Sequence, residues 1–129
     1  MINYFSKYKL IFYFSNFILI LLYLFPGSLL GCYFYNDCGL QPQITPDFII
    51  STNHLYAFFI LSIIGFLTFR SSSQFIILSM YLIIMSVALE IIHNFIPNRS
   101  FEIPDLFGNL AGVIIVIIIF YFFKTNENF

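Results

Sequence analysis

Long apolar runs separated by short polar or turn-forming stretches dominate the chain. From Leu10 the residues are almost wholly apolar, interrupted by Ser15 and Asn16, until Pro26-Gly27 stops the run. A second run extends from Phe48 to Phe69 and ends at Arg70 and Ser71-Ser72-Ser73, and a third runs from Gln74 or Phe75 to Ile96, closed by Pro97. The last begins near Leu106 and reaches Phe123, with Lys124 at its end. Roughly 20 apolar residues carry an α-helix through hydrocarbon. The first run is shorter, about 16 to 18 residues, and spans if its aromatic-rich flanks sit in the interfaces. None alternates with period 2 as a membrane β-barrel strand does, and a continuous apolar segment in lipid must satisfy its backbone internally as a helix. The pattern predicts an all-α integral membrane protein, a four-transmembrane-helix bundle in one domain over 1–129. Its spans cover about 10–26, 48–69, 75–96 and 106–123. Ser28 to Asp47, with Pro42, Pro46, two cysteines and no Lys or Arg, reads as a loop outside the hydrocarbon.

Composition sharpens the picture by exclusion. Of 129 residues 60% are hydrophobic, 22% aromatic and only 9% charged, with mean hydropathy +0.95. Soluble domains carry about a quarter charged residues, and disordered chains lack such hydrophobicity, so both classes are excluded. The net charge of −1 leaves no basic surface to neutralise phosphates, which excludes nucleic acid as a partner. Cations near span ends mark the cytoplasmic side. In a four-span layout Lys7, Lys9, Arg70 and Lys124 share the side of the N-terminus and Arg99 stands opposite, so both termini are expected to be cytoplasmic.

The cysteines leave alternatives open. Lys7 and Lys9, an apolar core and Leu29-Leu30-Gly31-Cys32 resemble a lipoprotein signal whose cleavage leaves Cys32 lipidated. Pro26-Gly27 within the apolar core and Leu30 two positions before the cysteine count against it. Cys32 and Cys38 otherwise read as buried or interfacial thiols, or as a disulfide closing a small loop on the oxidising side. As a metal site the pair lacks further ligands nearby.

Ionisable groups inside spans are costly and mark functional candidates. His54 lies six residues into the second run and Glu90 six residues before Ile96, about 9 Å below the outer ends of their spans, so they can meet. His93 and Asn94 follow Glu90 at i+3 and i+4 and extend it into an inward stripe. Asn109 on the last span joins the same level, Asp105 is placed to cap that span, and Arg99 can fold back onto Asp105 or Glu90 or meet a lipid phosphate. A metal on His54, Glu90 and His93 is conceivable, but one Glu-x-x-His without its partner motif is an incomplete set, so no metal and no cofactor are expected. Gly108 and Gly112 read as helix-packing residues, and a homo-oligomer interface is the other use open to them.

The segment from Glu90 through Pro97 and Arg99, followed by Asp105, Asn109 and Gly112, resembles the VanZ-like membrane proteins, whose pattern is E-x-x-Q-x-x-x-P-x-R and then D-x-x-x-N-x-x-G. Phe25-Pro26-Gly27-Ser28 and His54-Leu55-Tyr56-Ala57-Phe58 are similar to two further stretches of that family. His93 stands where Gln is usual, Phe58 where Tyr is usual, and Ile50-Ser51 where an Asp-Lys pair is usual. The resemblance implies a small four-helix protein of the bacterial inner membrane. The family's name-giving member is linked to low-level teicoplanin resistance, and no established reaction comes with the motif.

From the residues themselves, the expected role is an outward polar cluster of His54, Glu90, His93, Arg99, Asp105 and Asn109 that binds a membrane lipid head group or lipid-linked amphiphile. The competing readings are a membrane enzyme with Glu90 or His54 as acid or base, which lacks an evident nucleophile, and a scaffold whose polar contacts only fix helix packing.

Overall fold

The computed structural model describes the backbone of residues 2–127 and the side chains of residues 8–123. The described residues form α1 (Ile2–Leu24), α2 (Leu29–Tyr35), α3 (Thr52–Thr68), α4 (Ser72–Ile92) and α5 (Ile103–Glu127), with a 3-10 turn over His93–Phe95 and no strand among them. Ser72–Phe95 and Ile103–Phe123 are long and apolar enough to cross a membrane. Tyr8–Leu24 and Leu29–Tyr35 meet the same test only as one bent pair, broken by 83°. Thr52–Thr68 is a shorter apolar helix of 17 residues, about 25 Å long.

Two predicted boundaries are corrected. The stretch taken as loop holds α2, because Pro26-Gly27 ends α1 with Gly27 at φ 93° and Ser28 starts a new helix by accepting from the Gly31 N–H. Asn36 closes it in the left-handed conformation, its N–H donating to the Gly31 carbonyl. The second run yields a helix only from Thr52, although Phe48, Ile49 and Ile50 are apolar. Asp47 Oδ1 accepts from both the Thr52 N–H and the Thr52 hydroxyl, which fixes the helix start after those residues and leaves Phe48 and Ile49 exposed. These bonds to Thr52, the backbone one first, hold the exposed Asp47 carboxyl below its usual pKa.

α3 is the central element: α5 lies along it and α1 and α4 pack beside it. The buried apolar residues Phe58, Leu61 and Phe66 of α3 meet Leu82 and Leu89 of α4, Val113 and Val116 of α5, and Phe12 and Leu19 of α1. Exposed apolar side chains such as Phe14, Phe17, Ile76, Ile84 and Phe122 cover the outside, as a lipid-facing surface requires. At one end Phe12 meets Phe69 edge-on at 5.4 Å, and Phe66 stacks on Phe120 at 5.6 Å. Lys9 and Arg70 therefore share that end, while Lys7 and Lys124, also used to orient the chain, lie outside the described side chains. Asp37, Asp47, Arg99, Glu102 and Asp105 gather at the other, where Cys32 and Cys38 are joined by a disulfide. A disulfide is one of the readings open to the two cysteines.

Candidate functional site

Three elements bring the ionisable groups to one point. Because α3 starts at Thr52 and α4 stops at Ile92, His54 and Glu90 each lie two residues from a helix end, shallower than the 9 Å expected but still level with one another. His54 Nε2 stands 3.9 Å from Glu90 Oε2 and 3.6 Å from Asp105 Oδ2. Asp105 lies inside the first turn of α5, where a carboxylate complements the helix dipole, and its side chain faces His54. Glu90 is fully buried, while His54 and Asp105 keep 17% and 18% of their side-chain surface exposed. The cluster therefore has a closed side and an open one.

Hydrogen-bond roles fix what these groups present to each other. His93 Nε2 lies 3.0 Å from the Tyr23 carbonyl oxygen, which only accepts, so Nε2 carries the hydrogen and Nδ1 is left facing Glu90 Oε2 at 3.3 Å. Ser51 Oγ is 2.7 Å from His54 Nδ1. In the tautomer in which Ser51 Oγ accepts from His54 Nδ1, the Nε2 lone pair points toward Glu90 and Asp105. Glu90 Oε1 accepts from the Glu102 N–H at 3.1 Å, whereas the buried Oε2 accepts no hydrogen bond. Glu90 Oε2, Asp105 Oδ2 and His54 Nε2 thus converge, with His93 Nδ1 beside them.

Asn109, Arg99 and Asn94 are placed otherwise than the sequence reading put them. Asn109 is fully buried one layer deeper, accepting from the Tyr23 hydroxyl at 2.6 Å and donating to the Ser86 carbonyl at 3.0 Å, so it ties α5 to α1 and α4 and does not touch the carboxylates. Arg99 forms no ion pair with Asp105 or Glu90. Its Nε and Nη2 donate to the carbonyls of Phe25 and Leu22 at 3.1 and 2.8 Å, where a cation suits the end of α1. Partial burial draws its pKa down from the ordinary arginine value, against the pull of Tyr23, Glu90 and Asp105. Asn94 leaves the inward stripe and accepts from the Phe101 N–H. Gly108 and Gly112 face α3 within the same chain.

Two participants escaped the sequence reading. Tyr23 stacks on His93 at 5.5 Å, meets His54 edge-on at 5.2 Å, and bonds Asn109 through its hydroxyl. Its only sequence signal is a position in the last turn before Pro26-Gly27, diluted by the chain's nine tyrosines. Ser51 falls inside the predicted second span, its only signal there being its half of the Ile50-Ser51 departure from the family pattern.

The forked geometry at Arg99 gives a direct expectation. Arg99→Ala releases two carbonyls at the end of α1 and is expected to lower stability by about 1.5–3 kcal/mol, with little recovery in Arg99→Lys, whose single ammonium cannot serve both carbonyls in the same way. Equilibrium unfolding in mixed detergent micelles checks this, and full recovery by lysine would show that charge alone matters.

Above the cluster opens a cavity of about 790 Å³. His54, Asp105 and Arg99 are among its polar lining residues, and Leu29, Leu30, Ile44 and Ile60 among its apolar ones. Compared with models of known protein families, with curated proteins and with solved structures, the chain matches none.

Proposed function

We propose that the protein is a four-span protein of the bacterial inner membrane, both termini cytoplasmic, whose outward cavity binds a lipid head group or lipid-linked amphiphile. The cavity carries this reading. Its volume of about 790 Å³ suits a head group with the first part of an acyl chain, and a lining that holds both charged or polar groups and apolar walls matches an amphiphile. The orientation is supported by Lys9 and Arg70 at the opposite end and by the disulfide beside the cavity, which belongs in an oxidising compartment. α3, short for a span, serves as one because its first turn is met by the bonded segment before it. The VanZ-like pattern of Glu90, Pro97, Arg99, Asp105, Asn109 and Gly112 agrees with the same placement and extends the reading to tolerance of teicoplanin-type amphiphiles.

The test uses the protein in native-lipid nanodiscs, with co-purifying lipids identified by mass spectrometry. The parent is expected to enrich one lipid class over the bulk membrane. Ile60→Trp, at an exposed wall position, obstructs the cavity without entering the core and is expected to reduce that enrichment about tenfold, equivalent to about 1.4 kcal/mol. Identical lipid profiles for parent, variant and bulk membrane would overturn the proposal.

A further inference from the structure

We infer that His54, Glu90 and Asp105 form a binding site for one divalent transition-metal ion of the Zn²⁺ class. The inference stands whether or not an amphiphile occupies the cavity. Their ligand atoms, one from each side chain, all lie within 4.8 Å of one another, with His54 Nε2 3.6 Å from Asp105 Oδ2 and 3.9 Å from Glu90 Oε2. Ligands bound to Zn²⁺ at about 2.0–2.2 Å in a tetrahedron stand roughly 3.3–3.6 Å apart, so side-chain shifts of about 1 Å close the set.

Two features of the cluster point to an ion there. The first is Glu90 Oε2, a fully buried carboxylate oxygen aimed into the cluster that accepts no hydrogen bond, with His93 Nδ1 beside it at 3.3 Å and His54 Nε2 at 3.9 Å. A buried charge is retained when it is paired or coordinates a metal, and a divalent ion neutralises the two carboxylates together. The second is the arrangement around the ligands. Metal-bound histidines donate their other ring N–H to an oxygen partner, and His54 Nδ1 has Ser51 Oγ at 2.7 Å to serve as one, with Nε2 facing the two carboxylates. Glu90 is held likewise, its Oε1 accepting from the Glu102 N–H.

The set differs from the one conceivable from sequence. His93 is replaced by Asp105, because its Nε2 is committed to the Tyr23 carbonyl and its Nδ1 faces Glu90 from the closed side. Three protein ligands of mixed N and O type with a remaining position toward the cavity match the open zinc sites that accept water or an anionic ligand oxygen. A phosphate or carboxylate oxygen is the chemistry that would fill that position.

The experiment strips the detergent-purified full chain with chelator and adds back Zn²⁺ or Co²⁺. One ion per chain by elemental analysis is expected, with visible ligand-field bands for Co²⁺ and a Zn²⁺-dependent rise in unfolding temperature. Asp105→Asn and Glu90→Gln should abolish all three responses. Ser51→Ala should weaken binding about 10–100-fold, the usual effect of losing a ligand's outer partner. Asp37→Asn, at an exposed carboxylate outside the cluster, should bind as the parent does. The metal-free unfolding temperature of Asp105→Asn, at a partly exposed position, separates lost binding from lost fold. A parent that takes up neither ion, leaving the acceptors balanced by protons, would overturn the inference. Equal binding by parent and Asp105→Asn would do the same.

Discussion

Gly112→Ala is expected to disrupt the fold, although it adds a single methyl group. A Cβ at Gly112 would lie 2.6 Å from the Leu55 carbonyl oxygen and 2.9 Å from the Phe59 nitrogen, both backbone atoms of α3, and 3.1 Å from Phe58 Cβ. Backbone cannot swing aside, so α3 and α5 must separate along the contact that organises the bundle. Overpacking usually costs about 1–3 kcal/mol, and a backbone clash belongs at or above the top of that range. Close helix approach through small residues supplies much of the association energy in lipid, where apolar burial gives none. Gly65→Ala is the internal control. Its added Cβ meets Phe12 Cε2 at 2.9 Å and Leu78 Cδ2 at 3.0 Å, the far ends of side chains that can rotate. Unfolding in mixed micelles should therefore rank Gly112→Ala well below Gly65→Ala, and equal stabilities would show that α3 and α5 are not held by backbone proximity. Gly108→Ala carries the same clash to the site, since its Cβ meets the Ser51 carbonyl oxygen at 2.5 Å and His54 Cβ at 3.1 Å.

The parts of this arrangement that the sequence makes legible are those governed by local pattern. Continuous apolar runs yield α4 and α5, and ionisable residues embedded in or beside such runs single out His54, Glu90 and Asp105, because a charge in hydrocarbon requires a partner. What stays hidden depends on contacts distant in sequence or on hydroxyls too common to notice. Nothing in the loop after Pro97 announces that Arg99 serves carbonyls more than 70 residues earlier, at Leu22 and Phe25. Asp47 overrides the hydropathy of Phe48-Ile49-Ile50 by accepting from Thr52, a choice between helix start and helix interior that hydropathy does not resolve. Likewise α2 rests on Ser28 and Asn36, two ordinary polar residues within a stretch whose prolines and aspartates read as loop. Asn109 has the opposite history: its position in an apolar span flags it, but its depth sends it to Tyr23 and Ser86 and away from the carboxylates.

That placement makes Asn109→Leu the second substitution with a large expected effect. The change leaves the buried Tyr23 hydroxyl without its acceptor and takes from the Ser86 carbonyl the donor it has besides its own helix. Each buried group left unsatisfied costs about 1–3 kcal/mol in general. Interhelical hydrogen bonds in membranes average nearer 0.6 kcal/mol because the separated helices find other partners. With two bonds lost at a position of no exposure, a loss of about 2–3 kcal/mol is expected. Tyr23→Phe removes one of those groups itself, so the double variant should be more stable than the sum of the single losses predicts, by about 0.5–1 kcal/mol. Strict additivity would mean that the 2.6 Å contact contributes nothing to the bundle. The consequence reaches the site through the Tyr23 ring, which stacks on His93 and meets His54 edge-on. Asn109→Leu should therefore broaden the imidazole NMR signals of both histidines in detergent-solubilised protein, whereas Gly65→Ala, far from the site, should leave them sharp. Unchanged signals would confine Asn109 to packing and remove it from the support of the cluster.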